Sequence, residues 1–127
     1  MKLEPFASVD GHSFAASRAD VLKRFGTPRY QGRNEVGLDE LDYGEIVFRF
    51  QDNGRLEEIT AQAAVLHLGA VAVPFASLAA FVREHDGQAF ERAGFVVSPG
   101  FGLAFDPLQP CWVTALAAHC LGEWAAL

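Results

Sequence analysis

A chain of 127 residues, half of them apolar and eleven of them phenylalanine, can bury a core without covalent staples. Its formal charge of −6 and its ten scattered basic residues exclude the Lys/Arg footprint that binding a phosphate backbone requires, so nucleic acid is not an expected partner. Two cysteines, Cys111 and Cys120, are too few for a disulfide framework and are expected as buried free thiols, a bridge between them being the alternative.

The first residues, Met-Lys-Leu-Glu-Pro, put a charge and a proline where a signal peptide needs its apolar run, which points to the cytoplasm. The twenty-four residues from Ile59 to Val82 carry no formal charge and are long enough to cross a bilayer. Gln62, His67, Gly69, Pro74 and Ser77 interrupt that run, and no basic flank orients it, so a buried strand followed by a helix is expected and no membrane partner.

In chain order, residues 1–16 are ambiguous, with a turn at Asp10-Gly11. Ser17 and Asp20 predict the start of a helix whose apolar stripe is Val21, Leu22 and Phe25, ended by Gly26 and Pro28. An irregular segment follows, then a strand from Leu41 to Gln51 in which Ile46, Phe48 and Phe50 alternate with wetter residues. Asn53-Gly54 is a hairpin turn, because both residues tolerate positive φ. Two registers fit it. A two-residue turn pairs Phe48 with Ile59 and Arg49 with Glu58, whereas a three-residue loop pairs Phe50 with Leu56 and Arg49 with Glu57. Leu56 and Ile59 are three apart, which breaks strict alternation and predicts a bulge near Glu57-Glu58.

Val65–Val73 reads as a third strand, and Ser77 as the cap of a second helix running through Leu78, Phe81, Val82 and His85 to Asp86-Gly87. Phe95–Ser98 and Phe101–Phe105 read as short strands. Residues 111–127 fit strand and helical patterns alike; a strand and then a short terminal helix is favoured, since Pro107 and Pro110 set up a return. These elements make one α+β domain over residues 1–127, an antiparallel sheet packed with two principal helices. The order helix-then-hairpin recurs, hinting at two related α-β-β halves.

No catalytic motif stands out. Gly100-Phe-Gly102 lacks the third glycine of a dinucleotide fingerprint. Cys111, His119, Cys120 and Glu123 lack the short repeated spacings of metal ligands, and the adjacent His119 and Cys120 are expected to point to different faces, so neither a metal nor a cofactor is expected. His67 and His85 are expected as partly buried histidines on apolar faces. The strongest signal is charge: Glu35, Asp39, Glu40, Asp42, Glu45, Asp52, Glu57 and Glu58 are eight of sixteen carboxylates, opposed in that window only by Arg49 and Arg55. Carboxylates on a polar hairpin stay ionised and solvated unless a concave site separates their pKa values. A solvated surface competes with a partner-binding surface as the explanation, and Tyr43 among the acids favours the latter.

The run Ser17-Arg-Ala-Asp-Val-Leu-Lys-Arg-Phe-Gly26-Thr-Pro28, followed by Leu41-Asp-Tyr43-Gly44, Val47-Phe48-Arg-Phe50 and Asp52-Asn-Gly54-Arg-Leu56-Glu-Glu-Ile59, resembles small bacterial immunity proteins of polymorphic toxins and type VI secretion effectors. The helix-GxP-hairpin order is also similar to β-lactamase inhibitor protein-like domains. The resemblance covers residues 17–60 and implies a cytoplasmic, stoichiometric inhibitor that occludes a cognate toxin without turnover. An acidic surface suits a toxin with a basic active-site surface, and the interface residues expected are Asp39, Glu40, Asp42, Tyr43, Glu45, Asp52, Glu57 and Glu58. The alternative is a small-ligand-binding or enzyme-like domain with a phenylalanine-lined cavity and His67 or His119 as polar contacts.

Overall fold

A computed structural model describes residues 1–126. Leu3–Glu4 (β1), Ser8–Val9 (β2) and His12–Ser13 (β3) form a small antiparallel meander, the last two strands joined by the expected turn at Asp10-Gly11. Helix α1, Arg18–Phe25, opens on a reciprocal cap: Ser17 Oγ accepts from the Asp20 N–H at 3.1 Å, and Asp20 Oδ2 accepts from the Ser17 N–H at 2.9 Å. Four strands follow, Tyr30–Arg33 (β4), Asp39–Asp42 (β5), Ile46–Phe50 (β6) and Leu56–Gln62 (β7). Val65–Leu68 (β8) and Val71–Pro74 (β9) form a separate hairpin leading into helix α2, Phe75–His85. Phe90–Arg92 (β10), Phe95–Ser98 (β11), Leu103–Phe105 (β12) and Trp112–Leu116 (β13) come next, then a 3-10 turn at Ala118–Cys120 and helix α3, Leu121–Ala126.

Several expected boundaries move, each for a local reason. The single strand expected over Leu41–Gln51 is two strands, because the chain reverses at Tyr43-Gly44-Glu45. Gly44 has φ 91°, and the Asp42 carboxylate accepts its N–H at 2.7 Å. The stretch expected to be irregular contains β4, which β5 recruits as the sheet edge, and Phe90–Arg92 is a further strand beyond those expected. Val65–Val73 is split by a turn at Gly69-Ala70. The second helix starts at Phe75 rather than after Ser77: Pro74, with φ −60°, precedes its first residue, and Ser77 makes no cap. Within Phe101–Phe105 only the last three residues are strand.

The main sheet has eight strands in the order β10-β11-β12-β13-β7-β6-β5-β4, all antiparallel. Each half is a helix followed by a four-strand meander, and the last strands of the two halves, β13 and β7, pair in the middle with Thr114 opposite Thr60. The recurrence hinted at by the sequence is therefore a repeat of element order, each half carrying four strands where two were expected.

One face of the sheet is the core. Leu103, Ala115, Ile59, Phe48 and Leu41 lie opposite one another across five strands and are fully buried. Val21 of α1, Leu78 and Val82 of α2, and Leu3, Val9, Leu66 and Val73 pack onto that side. Phe48, Phe50 and Phe105 are fully buried and packed in this core. Truncating Phe48, which is 0 % exposed and packed against the rings of Phe25 and Tyr43, is expected to cost about 3–5 kcal/mol. Urea unfolding of Phe48→Ala against Val36→Ala, an exposed residue expected to change stability by less than about 0.5 kcal/mol, measures this.

Candidate functional site

The site begins with a register problem in the β6–β7 hairpin. Next to the turn, Phe50 lies opposite Leu56, as in the three-residue loop with Gly54 at φ 85°. One step further on, Arg49 lies opposite Glu58 and Phe48 opposite Ile59, as in the two-residue turn. Each expected register holds on one side of a bulge that leaves Glu57 without a partner on β6, so the Arg49–Glu57 pair expected of the three-residue loop does not form. The bulge lets Leu56 and Ile59 share the core face despite being three apart, and it turns Glu58 to the opposite face beside Arg49.

On that opposite face, Glu58, Arg49 and Glu40 stand in line across β7, β6 and β5. Arg49 Nε donates to Glu40 Oε1 at 2.9 Å, and its terminal nitrogen to Thr60 Oγ1 at 2.5 Å and, more weakly, to Glu58 Oε1 at 3.5 Å. The Thr60 hydroxyl also bonds that of Thr114 at 2.7 Å, and Trp124 Nε1 donates to Glu58 Oε2 at 3.2 Å. The three charged side chains keep only 16–20 % of their exposure. Burial pushes the Glu58 carboxyl above the usual carboxylate range, while Arg49 and the Trp124 indole pull it back.

This ladder floors an open groove of about 890 Å³. One wall is the β4–β5 hairpin with Tyr30, Asn34, Glu35 and Val36; the other is α3 with Glu123 and Trp124. Five carboxylates, those of Glu35, Glu40, Asp42, Glu58 and Glu123, line it against the guanidiniums of Arg33 and Arg49. Tyr30 and Val36 stand on its rim, 53 % and 71 % exposed.

The expected interface residues divide. Glu40, Asp42 and Glu58 line the groove. Asp39 alternates with Glu40 and lies opposite Phe50, on the side of Leu41. Tyr43 packs against Phe25 and Phe48, and its hydroxyl donates to the Gly26 carbonyl at 2.9 Å, tying the β5–β6 turn to the end of α1. Glu45 is exposed at that turn. Asp52 pairs with Arg33 at 2.5 Å, both largely exposed. Glu57 is fully buried. Tyr30, Val36, Thr60, Thr114 and Trp124 carry no sequence expectation of a site, and Glu123 enters there only as a candidate metal ligand; the polar residues alternating along β7, Glu58, Thr60 and Gln62, are the one sequence signal that marks this face.

Glu57 belongs to a second cluster under the 3-10 turn. Its Oε1 accepts from Arg55 Nε at 3.0 Å, its Oε2 accepts from Cys120 Sγ at 2.7 Å, and His119 Nε2 lies against that same Oε2. Its carbonyl accepts the Ala117 N–H at 2.9 Å. His119 and Cys120, expected to diverge, converge because the tight turn sits over the buried carboxylate and presents both side chains to it. Burial, and then the Glu57 carboxylate, raise the Cys120 thiol well above its ordinary value, so it is held as S–H. Both cysteines are free, Cys120 buried and Cys111 only partly. His67 and His85, expected partly buried, are exposed; His67 is on β8, between β9 and a bridge to Lys2, and His85 packs against Phe81 at the end of α2. Among the described residues no buried side-chain nitrogen or oxygen lacks a hydrogen-bond partner, and no helix is long and apolar enough to cross a membrane.

No family model, curated protein or solved structure matches this chain.

Two changes test the ladder. Arg49→Met removes the counter-ion shared by Glu40 and Glu58 and is expected to destabilise the fold by about 2–3 kcal/mol at pH 7, less than for a fully buried pair. The deficit should shrink on acidification as Glu58, whose carboxyl is raised, takes up its proton, which urea titrations at pH 7 and pH 5 would resolve. The raised Glu58 carboxyl binds its proton more tightly in the folded chain than in the unfolded one. It therefore adds stability below the ordinary carboxylate pKa, and that contribution fades as pH rises through the raised value. Relative to Glu58→Gln, the wild type should lose stability across that window; parallel profiles would refute it.

Proposed function

We propose that this protein is a binding module of the immunity type, which seats a basic surface of a cognate toxin or effector in the acidic groove and occludes it without turnover. The observation that carries this reading is the groove itself: five carboxylates against two guanidiniums, on a rigid sheet, with exposed Tyr30 and Val36 at the rim. Charge of one sign on a fixed surface steers an oppositely charged partner, and aromatic and aliphatic rim residues supply the desolvated contact that holds it. The sequence resemblance over residues 17–60 points the same way. The acids of the floor are paired with Arg49 or bonded to backbone and Trp124, an arrangement suited to presenting fixed charge rather than moving protons.

A second reading has its own observation. The Arg49, Thr60 and Thr114 groups converge below Trp124, as polar groups do where a small polar ligand is oriented. On that reading the occupant is a metabolite rather than a protein.

Co-expression pull-down with mass spectrometry separates the two. Capture of a basic toxin domain whose lethality this protein abolishes supports the first, and recovery of a metabolite alone overturns it. With the captured domain in hand, Glu35→Lys with Glu123→Lys, both exposed groove residues, should weaken binding by about tenfold or more and flatten its salt dependence. Asp52→Lys, outside the groove lining, is the control expected to change affinity less. Unchanged affinity and salt dependence in the groove variant would place the interface elsewhere.

A further inference from the structure

We propose that Glu57, His119 and Cys120 form a zinc site, with Glu57 Oε2, His119 Nε2 and Cys120 Sγ as ligands and a fourth position open to water on the His119 side. These three donor atoms lie within 4.8 Å of one another. They are a carboxylate oxygen, an imidazole nitrogen and a sulfur, the set that a borderline-soft divalent ion takes. The carboxylate is fully buried and the cysteine 1 % exposed, so two ligands are fixed by the sheet bulge and the core. His119, exposed on the turn, is free to adjust and leaves the site an entry path.

The geometry asks for small movements. Tetrahedral zinc holds such ligands at about 2.0–2.3 Å, which separates neighbouring donor atoms by about 3.3–3.7 Å. The Cys120 Sγ to Glu57 Oε2 approach of 2.7 Å therefore opens by about 1 Å, within reach of a side-chain rotation. Binding releases the thiol proton to solvent, and the carboxylate and thiolate then balance the two positive charges of the ion. Arg55 stays on the other carboxylate oxygen, orienting it from outside the metal shell. Spacing hides such a site, because the ligands come from a bulge and a turn more than sixty residues apart. The ion would pin the C-terminal segment to β7, and that segment carries Glu123 and Trp124 into the groove wall.

The test uses the full chain and metal ions alone. Cobalt(II) should bind one equivalent and give a sulfur-to-cobalt charge-transfer band in the near ultraviolet, lost on displacement by zinc. Cys120→Ser should abolish the band, Cys111→Ser should keep it, and His119→Ala should weaken cobalt binding by about tenfold or more. His119 is exposed, so this last variant stays folded and informative even if changes at the buried ligands do not. Zinc should also raise the melting temperature of the wild type more than that of His119→Ala. Absence of the band, cobalt bound without it, its survival in Cys120→Ser, or equal affinity in His119→Ala would each overturn the site.

Discussion

The bulge at Glu57 is the constraint on which the rest of the structure depends. A strand has a strict two-residue period, so one extra residue exchanges the faces of everything beyond it. Without it, a sheet that buries Leu56 would turn Ile59 to the other side. With it, Leu56 and Ile59 both enter the core, and Glu58 meets Arg49 opposite. Two adjacent glutamates of identical chemistry thus acquire different surroundings. Glu58 joins a cross-strand ladder in a groove, while Glu57 is enclosed beneath the C-terminal turn.

The groove arises where the two halves stop resembling each other. On the face away from the core, a single row runs Phe90, Val97, Ala104, Thr114, Thr60, Val47, Asp42, Tyr30 across all eight strands. Its β10–β12 end is apolar and is covered by Leu121, Trp124 and Cys120. Its other end turns polar and stays open. The terminal segment covers only the second half, so its outer edge becomes a wall and the uncovered first half becomes a floor. An order of elements that is repeated thereby yields a site that is not.

Much of this was legible in the residues. The Ser17–Asp20 cap, the Asn53-Gly54 turn, the bulge and the strand-then-helix ending rest on local rules that tertiary context had no reason to override. The edge strands β4 and β10 were not legible, because Tyr-Gln-Gly-Arg and Phe-Glu-Arg have no clean alternation and are strands chiefly because a neighbour pairs with them. The split of Leu41–Gln51 is hidden because the alternation of Ile46, Phe48 and Phe50 extends naturally back through Gly44, where the chain in fact reverses. For the site, the acidic window located the right hairpin but could not assign faces. Tyr43 shows why: an aromatic among charges reads as exposed until its ring is found against Phe25 and Phe48. The groove walls come from residues 30–38 and 123–124, which only the fold brings together.

Whether this hairpin holds two registers at once is tested most directly by cross-strand proton contacts measured by NMR on the labelled protein. A bulged hairpin gives contacts between Phe50 and Leu56 together with contacts between Arg49 and Glu58 and between Phe48 and Ile59, and no cross-strand partner on β6 for Glu57. A single continuous register, with Arg49 opposite Glu57, would contradict it and remove the ladder, the groove floor and the buried glutamate together.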